Sequence, residues 1–155
     1  MYHKRRRLKD FDYAGNGSYF ITFCTIQKEC VLWTRDVFAD NLSVQLSDIG
    51  VFVQRCIEQV SSSMPSVTVD KYVIMPNHIH MIISLSDSKA SISGIVHFIK
   101  SQTTKHIGYS VFQRSFHDRI IRNMDEYEKI WNYIEDNPRK WNEDKYYWAP
   151  CVADS

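Results

Sequence analysis

The segment Val67–Leu85 most constrains the fold, because it holds two strand-forming runs separated by Pro76-Asn77. β-Branched and aromatic residues alternate before the proline, and an apolar run follows it, a composition typical of strands. Proline lacks the N–H that a strand ladder needs, so a break or bulge is expected there. The segment therefore predicts two antiparallel strands, over 67–75 and 78–85.

Three helices are predicted around these strands. Apolar residues recur at helical spacing from Ser47-Asp48 to about Ser62, and again over 92–107. Asn123 and Glu126 have the spacing of a capping box that opens a third helix. This helix is expected to end near Asn137, because Pro138 disfavours helical geometry in the residue before it.

The order of elements defines the expected fold class. One strand follows the turn Gly15-Asn16-Gly17, and another is expected over 112–122. The order is then strand, helix, strand, strand, helix, strand, helix. It predicts an α+β fold, a ferredoxin-like split βαβ sandwich whose antiparallel sheet carries helices on one face. At 155 residues, the chain is expected to form one domain, 1–155.

Composition indicates a globular protein of the cytoplasm. Apolar residues make up 44% and aromatic residues 14% of the chain, which argues against disorder. No apolar run reaches the length of a membrane span, and the four cysteines show no C-x-x-C spacing. We therefore expect no membrane contact and reduced cysteines, with Cys24 and Cys56 as buried free thiols.

The basic residues are unevenly distributed. Residues 1–9 hold five of the 19 Lys and Arg residues and no acidic residue. Such an arm on a mildly acidic body is typical of a contact with a polyanion. A frayed, solvated terminus explains the same pattern.

His78 and His80 are the first candidate site residues. Residues two apart in a strand point to the same face, so the two imidazoles are expected side by side. Buried imidazoles need partners, and a divalent metal takes neutral imidazole nitrogens. Histidines that face solvent or form hydrogen bonds are the alternative, because a His-x-His match is common by chance.

The third helix supplies two further candidates. Tyr133 and Asn137 are four residues apart, so they share one helical face. An amide oxygen is a hard ligand that suits Mg or Mn, and a tyrosine oxygen can act as a covalent nucleophile. A metal site would form if this helix lay across the face that carries the histidines. A core tyrosine and an ordinary helix terminator are the alternatives.

Five segments of the chain together carry a family resemblance. The chain resembles the REP-associated tyrosine transposases, a branch of the HUH single-strand DNA nuclease superfamily, over nearly its whole length. The segments are RRRLKDFDYAGNGSYFITFCT, YVIMPNHIHMII, FIKSQTT, FQRSFHDRIIRN and EYEKIWNYIEDNPRKW. Two departures from the family pattern are Phe112 in place of Trp, and Phe116-His117-Asp118-Arg119 in place of Tyr-Tyr-Glu-His. The second departure leaves the role of His117 open.

The resemblance implies a role for each matching residue. His78 and His80 match the metal-binding pair, Asn137 the residue that completes the metal site, and Tyr133 the nucleophile. The implied reaction is metal-dependent cleavage and rejoining of single-stranded DNA beside hairpins, through a covalent 5′-phosphotyrosine. The implied cofactor is a divalent metal, Mg or Mn. The alternatives are a non-catalytic hairpin-binding protein and a metal nuclease that uses water.

Substrate contacts are expected at basic side chains of the arm, the second helix and the last strand. The chain is expected to be a monomer or a homodimer, and in a dimer the third helix would be able to serve the partner's site. The candidate phosphate-binding residues are Lys4, Arg5, Arg6, Arg7, Lys100, Lys105, Arg119 and Arg122.

Overall fold

The computed structural model of the chain describes residues 17–34, 45–86 and 91–138. The basic arm, with its four candidate contacts from Lys4 to Arg7, lies outside the described residues. In chain order the elements are β1 Gly17–Cys24, a 3-10 helix Ile26–Lys28, α1 Asp48–Ser63, β2 Val67–Ile74, β3 His78–Leu85, α2 Ile92–Ile107, β4 His117–Ile121 and α3 Met124–Asp136.

The four strands form one antiparallel sheet in the order β2-β3-β1-β4. β2 and β3 form the predicted hairpin around Pro76-Asn77. β1 lies between β3 and β4, so the strands separated by α1 and α2 do not pair with each other. This split arrangement is the ferredoxin-like α+β fold that the element order predicts, and the prediction is confirmed.

Helices cover both faces of this sheet. α1 and α2 pack on the face formed by Ile79, Met81 and Ile83, which confirms the predicted helices on one face for the split βαβ unit. α3 packs on the opposite face, where Ile82 meets Ile134 and neighbouring apolar residues of α3. All eight residues of β3 are buried, so this strand needs a packed layer on each side.

Local signals in the sequence set the ends of the helices. Ser47 Oγ accepts a hydrogen bond from the Gly50 N–H at 3.1 Å, and Asn123 Oδ1 accepts one from the Glu126 N–H at 2.9 Å. Glu126 in turn accepts from the backbone N–H of Arg122, one residue before the position usual in a capping box. α2 ends at Gly108, whose φ of 99° lies in the left-handed region.

The last strand is shorter than the predicted 112–122. β4 begins only at His117, while Phe112 forms an isolated bridge with Thr25. The intervening carbonyl groups of residues 113–115 accept hydrogen bonds from the Lys100 ammonium instead of a strand partner. A side chain from α2 therefore takes up the acceptors that a longer strand would use.

The cysteines follow the prediction at two positions. Cys24 and Cys56 are buried and not disulfide-bonded, as expected. Cys30 is disulfide-bonded, so the expectation of reduced cysteines is wrong there. Disulfide formation depends on the distance between Cβ atoms in space, which spacing along the chain does not report.

Candidate functional site

The paired histidines lie side by side at the buried centre of the sheet. β3 points His78 and His80 to the same face, and their ring centroids are 4.6 Å apart. Both side chains are almost fully buried. The alternative of histidines that face solvent is therefore excluded, and the burial of two imidazoles requires oriented polar partners.

A neighbouring side chain orients each imidazole. The hydroxyl Oγ1 of Thr22 lies 2.8 Å from His80 Nδ1, and the amide Oδ1 of Asn77 lies 2.8 Å from His78 Nδ1. Asn77 Oδ1 is an acceptor, so His78 donates through Nδ1, and its Nε2 is then the lone-pair nitrogen in the neutral ring. Partners of this kind fix ring orientation and tautomer in metal-binding histidines.

α3 brings Tyr133 to these histidines. The Tyr133 ring centroid lies 5.2 Å from that of His80. Phe20 on β1 packs against both rings on the same face, with its ring centroid 5.3 Å from that of His80 and 6.3 Å from that of Tyr133. Tyr133 is 40% exposed although His80 is 1% exposed. The tyrosine is therefore accessible to a large substrate, while the imidazoles form the floor of the site.

Asn137 caps α3 one turn beyond Tyr133. Its Nδ2 donates a hydrogen bond to the Tyr133 carbonyl oxygen at 2.8 Å. Its side chain is buried, and within the described residues its Oδ1 accepts no hydrogen bond. A buried amide oxygen of this kind is costly unless a ligand or ion satisfies it.

The donor set fits a divalent metal. In the described ranges, no three His, Cys, Asp or Glu side chains group closely enough to hold an ion. Among the described residues, a metal held by His78 and His80 would take its third protein ligand from another residue type, and the Asn137 Oδ1 is a suitable hard donor. Two imidazoles and one amide leave coordination positions open, as in catalytic metal sites.

Two ties on the same sheet face hold α3 against β2. The Tyr127 hydroxyl donates to Asp70 Oδ2 at 2.8 Å, and Ser84 Oγ donates to the same oxygen at 2.6 Å. Near the other end of the helix, Lys71 pairs with Glu135 and lies 4.8 Å from the ring centroid of Trp131. These contacts fix the position from which Tyr133 meets the histidines.

The predicted DNA-contacting cations differ in their surroundings. Lys105, Arg119 and Arg122 are exposed, as a phosphate contact requires. Lys100 is half-buried, and its ammonium donates to three backbone carbonyls of residues 113–115, at 2.7, 3.3 and 3.0 Å. Desolvation lowers the pKa of Lys100 from its ordinary value. Lys100 therefore has a structural role in holding this loop, and its contact with DNA stays a prediction.

The sequence reasoning missed the residues that support the site. Thr22, Phe20 and Asp70 give no signal in the sequence, because only strand pairing and helix docking bring them to the site. Asn77 was recognisable, since an amide directly before the first histidine of a buried pair is placed to orient it.

Comparisons with known proteins are consistent with this fold. No known family profile matches the chain. A relative from Haemophilus influenzae, described as an uncharacterized protein, is 32% identical over 174 aligned positions that cover 95% of this chain and 94% of the relative. No helix in the described part of the chain is long and apolar enough to cross a membrane.

Two solved structures share the architecture. The REP-associated tyrosine transposase bound to a REP hairpin has a TM-score of 0.64 and 23% identity, covering 87% of this chain and 74% of that one. A candidate transposase from Deinococcus radiodurans has a TM-score of 0.51 and 12% identity, covering 81% and 92%. This chain therefore belongs to one family with the Haemophilus influenzae protein, and its fold is that of the REP-associated tyrosine transposase.

Proposed function

We propose that this chain is a metal-dependent single-stranded DNA transposase or endonuclease in which Tyr133 is the nucleophile. One observation carries the proposal: the ring centroid of the accessible Tyr133 lies 5.2 Å from that of His80. His80 is one of two buried histidines whose rings are oriented by hydrogen bonds. All the residues invoked belong to one chain, so the proposal requires no second subunit.

The proposed step is a transesterification. The phenolic oxygen of Tyr133 attacks the phosphorus of a phosphodiester, and the bond from phosphorus to the 3′ oxygen breaks. The 3′ oxygen leaves as a hydroxyl with the proton that the phenol gives up, and a 5′-phosphotyrosine remains. Attack by a 3′-hydroxyl on this ester reverses the reaction and rejoins strands, with no external energy source.

The metal site has a defined part in this proposal. His78, His80 and Asn137 would hold Mg or Mn, which supplies Lewis-acid polarisation of the phosphate when bound. The protein's own contribution is orientation. Thr22 and Asn77 fix the imidazoles, and the tie from Asn137 to the Tyr133 carbonyl joins the helix end to the same site.

The substrate class rests on the comparison. The REP-associated tyrosine transposase that shares this fold is bound to a REP hairpin. We infer that this chain acts on single-stranded DNA next to a hairpin. The exposed position of Tyr133 on an otherwise buried site supports a large substrate that approaches from outside the protein.

Adduct formation tests the nucleophile. The protein is incubated with labelled single-stranded oligonucleotides that carry palindromes and flanks from its own genome, and products are separated on denaturing gels. Wild type should give a covalent protein–DNA adduct, whereas Tyr133→Phe, which keeps the ring beside Phe20, should give none. Tyr109→Phe, at a tyrosine that is 60% exposed, is the matched control and should retain the adduct.

Two other outcomes would each support an alternative function. Cleavage without any adduct would indicate a nuclease that uses water. Tight hairpin binding with neither cleavage nor adduct would indicate a non-catalytic binding protein.

Metal binding has its own test. EDTA should abolish the adduct, and Mn²⁺ at 100 times its Kd should stabilise the folded protein by about 2.7 kcal/mol. At roughly 2–4 °C per kcal/mol, the melting temperature should rise by about 5–11 °C. Asn137→Ala should lose most of this shift. An equal shift in Asn137→Ala and wild type would remove Asn137 from the metal site.

A further inference from the structure

Among residues 17–34, 45–86 and 91–138, α3 is the helix that covers the histidine face of the sheet. α3 packs against β2 and β3, where its ties to Asp70 and Lys71 hold it down. The end of β4 also packs with α3 through the buried Ile121, whereas His117, Asp118 and Arg119 at its start are exposed. Among the described residues, the exposed start of β4 therefore offers a strand of DNA an approach to Tyr133.

The strand register places an imidazole and a guanidinium side chain on this approach. β4 pairs with β1 so that His117 lies opposite Thr22 and Arg119 lies opposite Phe20. Directly paired residues of antiparallel strands point to the same face. Thr22 and Phe20 both contact the ring of His80, so His117 and Arg119 share the face of the candidate active site.

The acidic residue of β4 points the other way. Asp118 is paired with Ile21, which belongs to the core under α1 and α2. Burial raises the pKa of the Tyr19 phenol, and the nearby Asp118 carboxylate raises it further, which places that carboxylate on the face opposite the site. Across residues 17–34, 45–86 and 91–138, the Arg119 guanidinium forms no ion pair. β4 therefore presents positive charge toward the site and negative charge away from it.

We propose that Arg119 binds the scissile phosphate at the β4 side of the site, an inference that rests on the proposed function. Arg119 is paired with Phe20 on the neighbouring strand, and neighbouring strands lie about 4.8 Å apart. The ring centroid of Phe20 lies 6.3 Å from that of Tyr133. A guanidinium is always charged and can bind phosphate with two parallel hydrogen bonds. Arg119 would hold the phosphate against the tyrosine and offset negative charge as the new ester forms.

Position separates Arg119 from the other predicted cations. Lys105 is on α2, which packs on the opposite face of the sheet. Arg122 lies beyond the end of β4, and its backbone N–H donates to Glu126 at the start of α3. Contacts from these residues would add affinity along the strand, whereas Arg119 is placed to act on the reacting phosphate.

Single-turnover kinetics test this role. The probe is the labelled hairpin oligonucleotide that wild type cleaves. Arg119→Ala should lower the rate of adduct formation at saturating protein by about 10- to 100-fold, with less than about a threefold change in Kd. Arg119→Lys keeps the charge but loses the planar guanidinium, so its rate of adduct formation should lie between those of wild type and Arg119→Ala. Arg55→Ala removes the same charge from an exposed site on α1, across the sheet, and should leave both quantities unchanged.

The outcomes distinguish this inference from the proposed function. An Arg119→Ala variant with the wild-type rate, or one that loses affinity and regains the full rate at saturation, would overturn the role at the scissile phosphate alone. Absence of any adduct with wild type would overturn the proposed function and this inference together. Melting curves of both Arg119 variants should match wild type, because the side chain is exposed.

Discussion

The hydrogen bond from Tyr127 to Asp70 should hold the nucleophile-bearing helix on the sheet. Tyr127 is fully buried, and its hydroxyl donates to Asp70 Oδ2 at 2.8 Å. Tyr127→Phe removes only this hydroxyl and leaves the ring in the apolar cluster with Ile82 and Ile130. The change therefore isolates the polar tie from the packing of the helix.

The expected cost follows from the charge of the acceptor. A hydrogen bond to a charged group contributes about 1.5–3 kcal/mol, because its loss removes a donor from a half-buried carboxylate. Tyr127→Phe should thus lower the free energy of unfolding by about 2 kcal/mol. For a chain of this size, that corresponds to a fall in melting temperature of roughly 4–8 °C.

The assay is urea unfolding followed by far-UV circular dichroism, with thermal melting as a second measurement. Tyr109→Phe at an exposed tyrosine is the control and should change stability by less than about 0.5 kcal/mol. Ser84 donates to the same carboxylate oxygen, so Ser84→Ala and Tyr127→Phe should be non-additive by at least about 0.5 kcal/mol. A Tyr127→Phe variant as stable as wild type, and additive with Ser84→Ala, would refute the anchoring role of Asp70.

Two further substitutions test the support of the fold. Lys100→Met should lower the free energy of unfolding in urea by about 1.5–3 kcal/mol, because the ammonium donates hydrogen bonds to the carbonyls of residues 113–115. DNA affinity should stay unchanged. A loss of DNA affinity with unchanged stability would instead support Lys100 as a DNA contact. Gly50→Ala should lower the free energy of unfolding by about 1–3 kcal/mol, because the added Cβ would collide with the Leu32 carbonyl oxygen. Replacing glycine by alanine inside a helix usually has the opposite effect. Gly94→Ala, whose Cβ meets only the Ser91 hydroxyl at 3.0 Å, should cost less, and equal effects would contradict the close approach at Gly50.

Local pattern determined the elements and the internal geometry of each one. The bounds of β3 and α2 match the predicted 78–85 and 92–107, and Ser47 and Asn123 cap the helices that they were expected to open. The common face of His78 and His80 also follows from sequence, since alternation along a strand is fixed by the backbone. These properties depend on residues that are close together in the chain, which is why a single sequence carries them.

The tertiary structure decided which elements meet. Thr22 contacts His80 although the two residues are 58 positions apart in the sequence. α3 docks on the face opposite α1 and α2, so β3 is buried on both sides. The position of α2 beside the loop before β4 gave Lys100 a structural role that its charge did not indicate. Strand register and helix docking are set by packing summed over distant segments, and no local pattern encodes that sum. The sequence alone therefore determined which side chains each strand and helix presents. Only the packed sheet placed Tyr133 and Phe20 beside the histidines, and Arg119 opposite Phe20 on the same face.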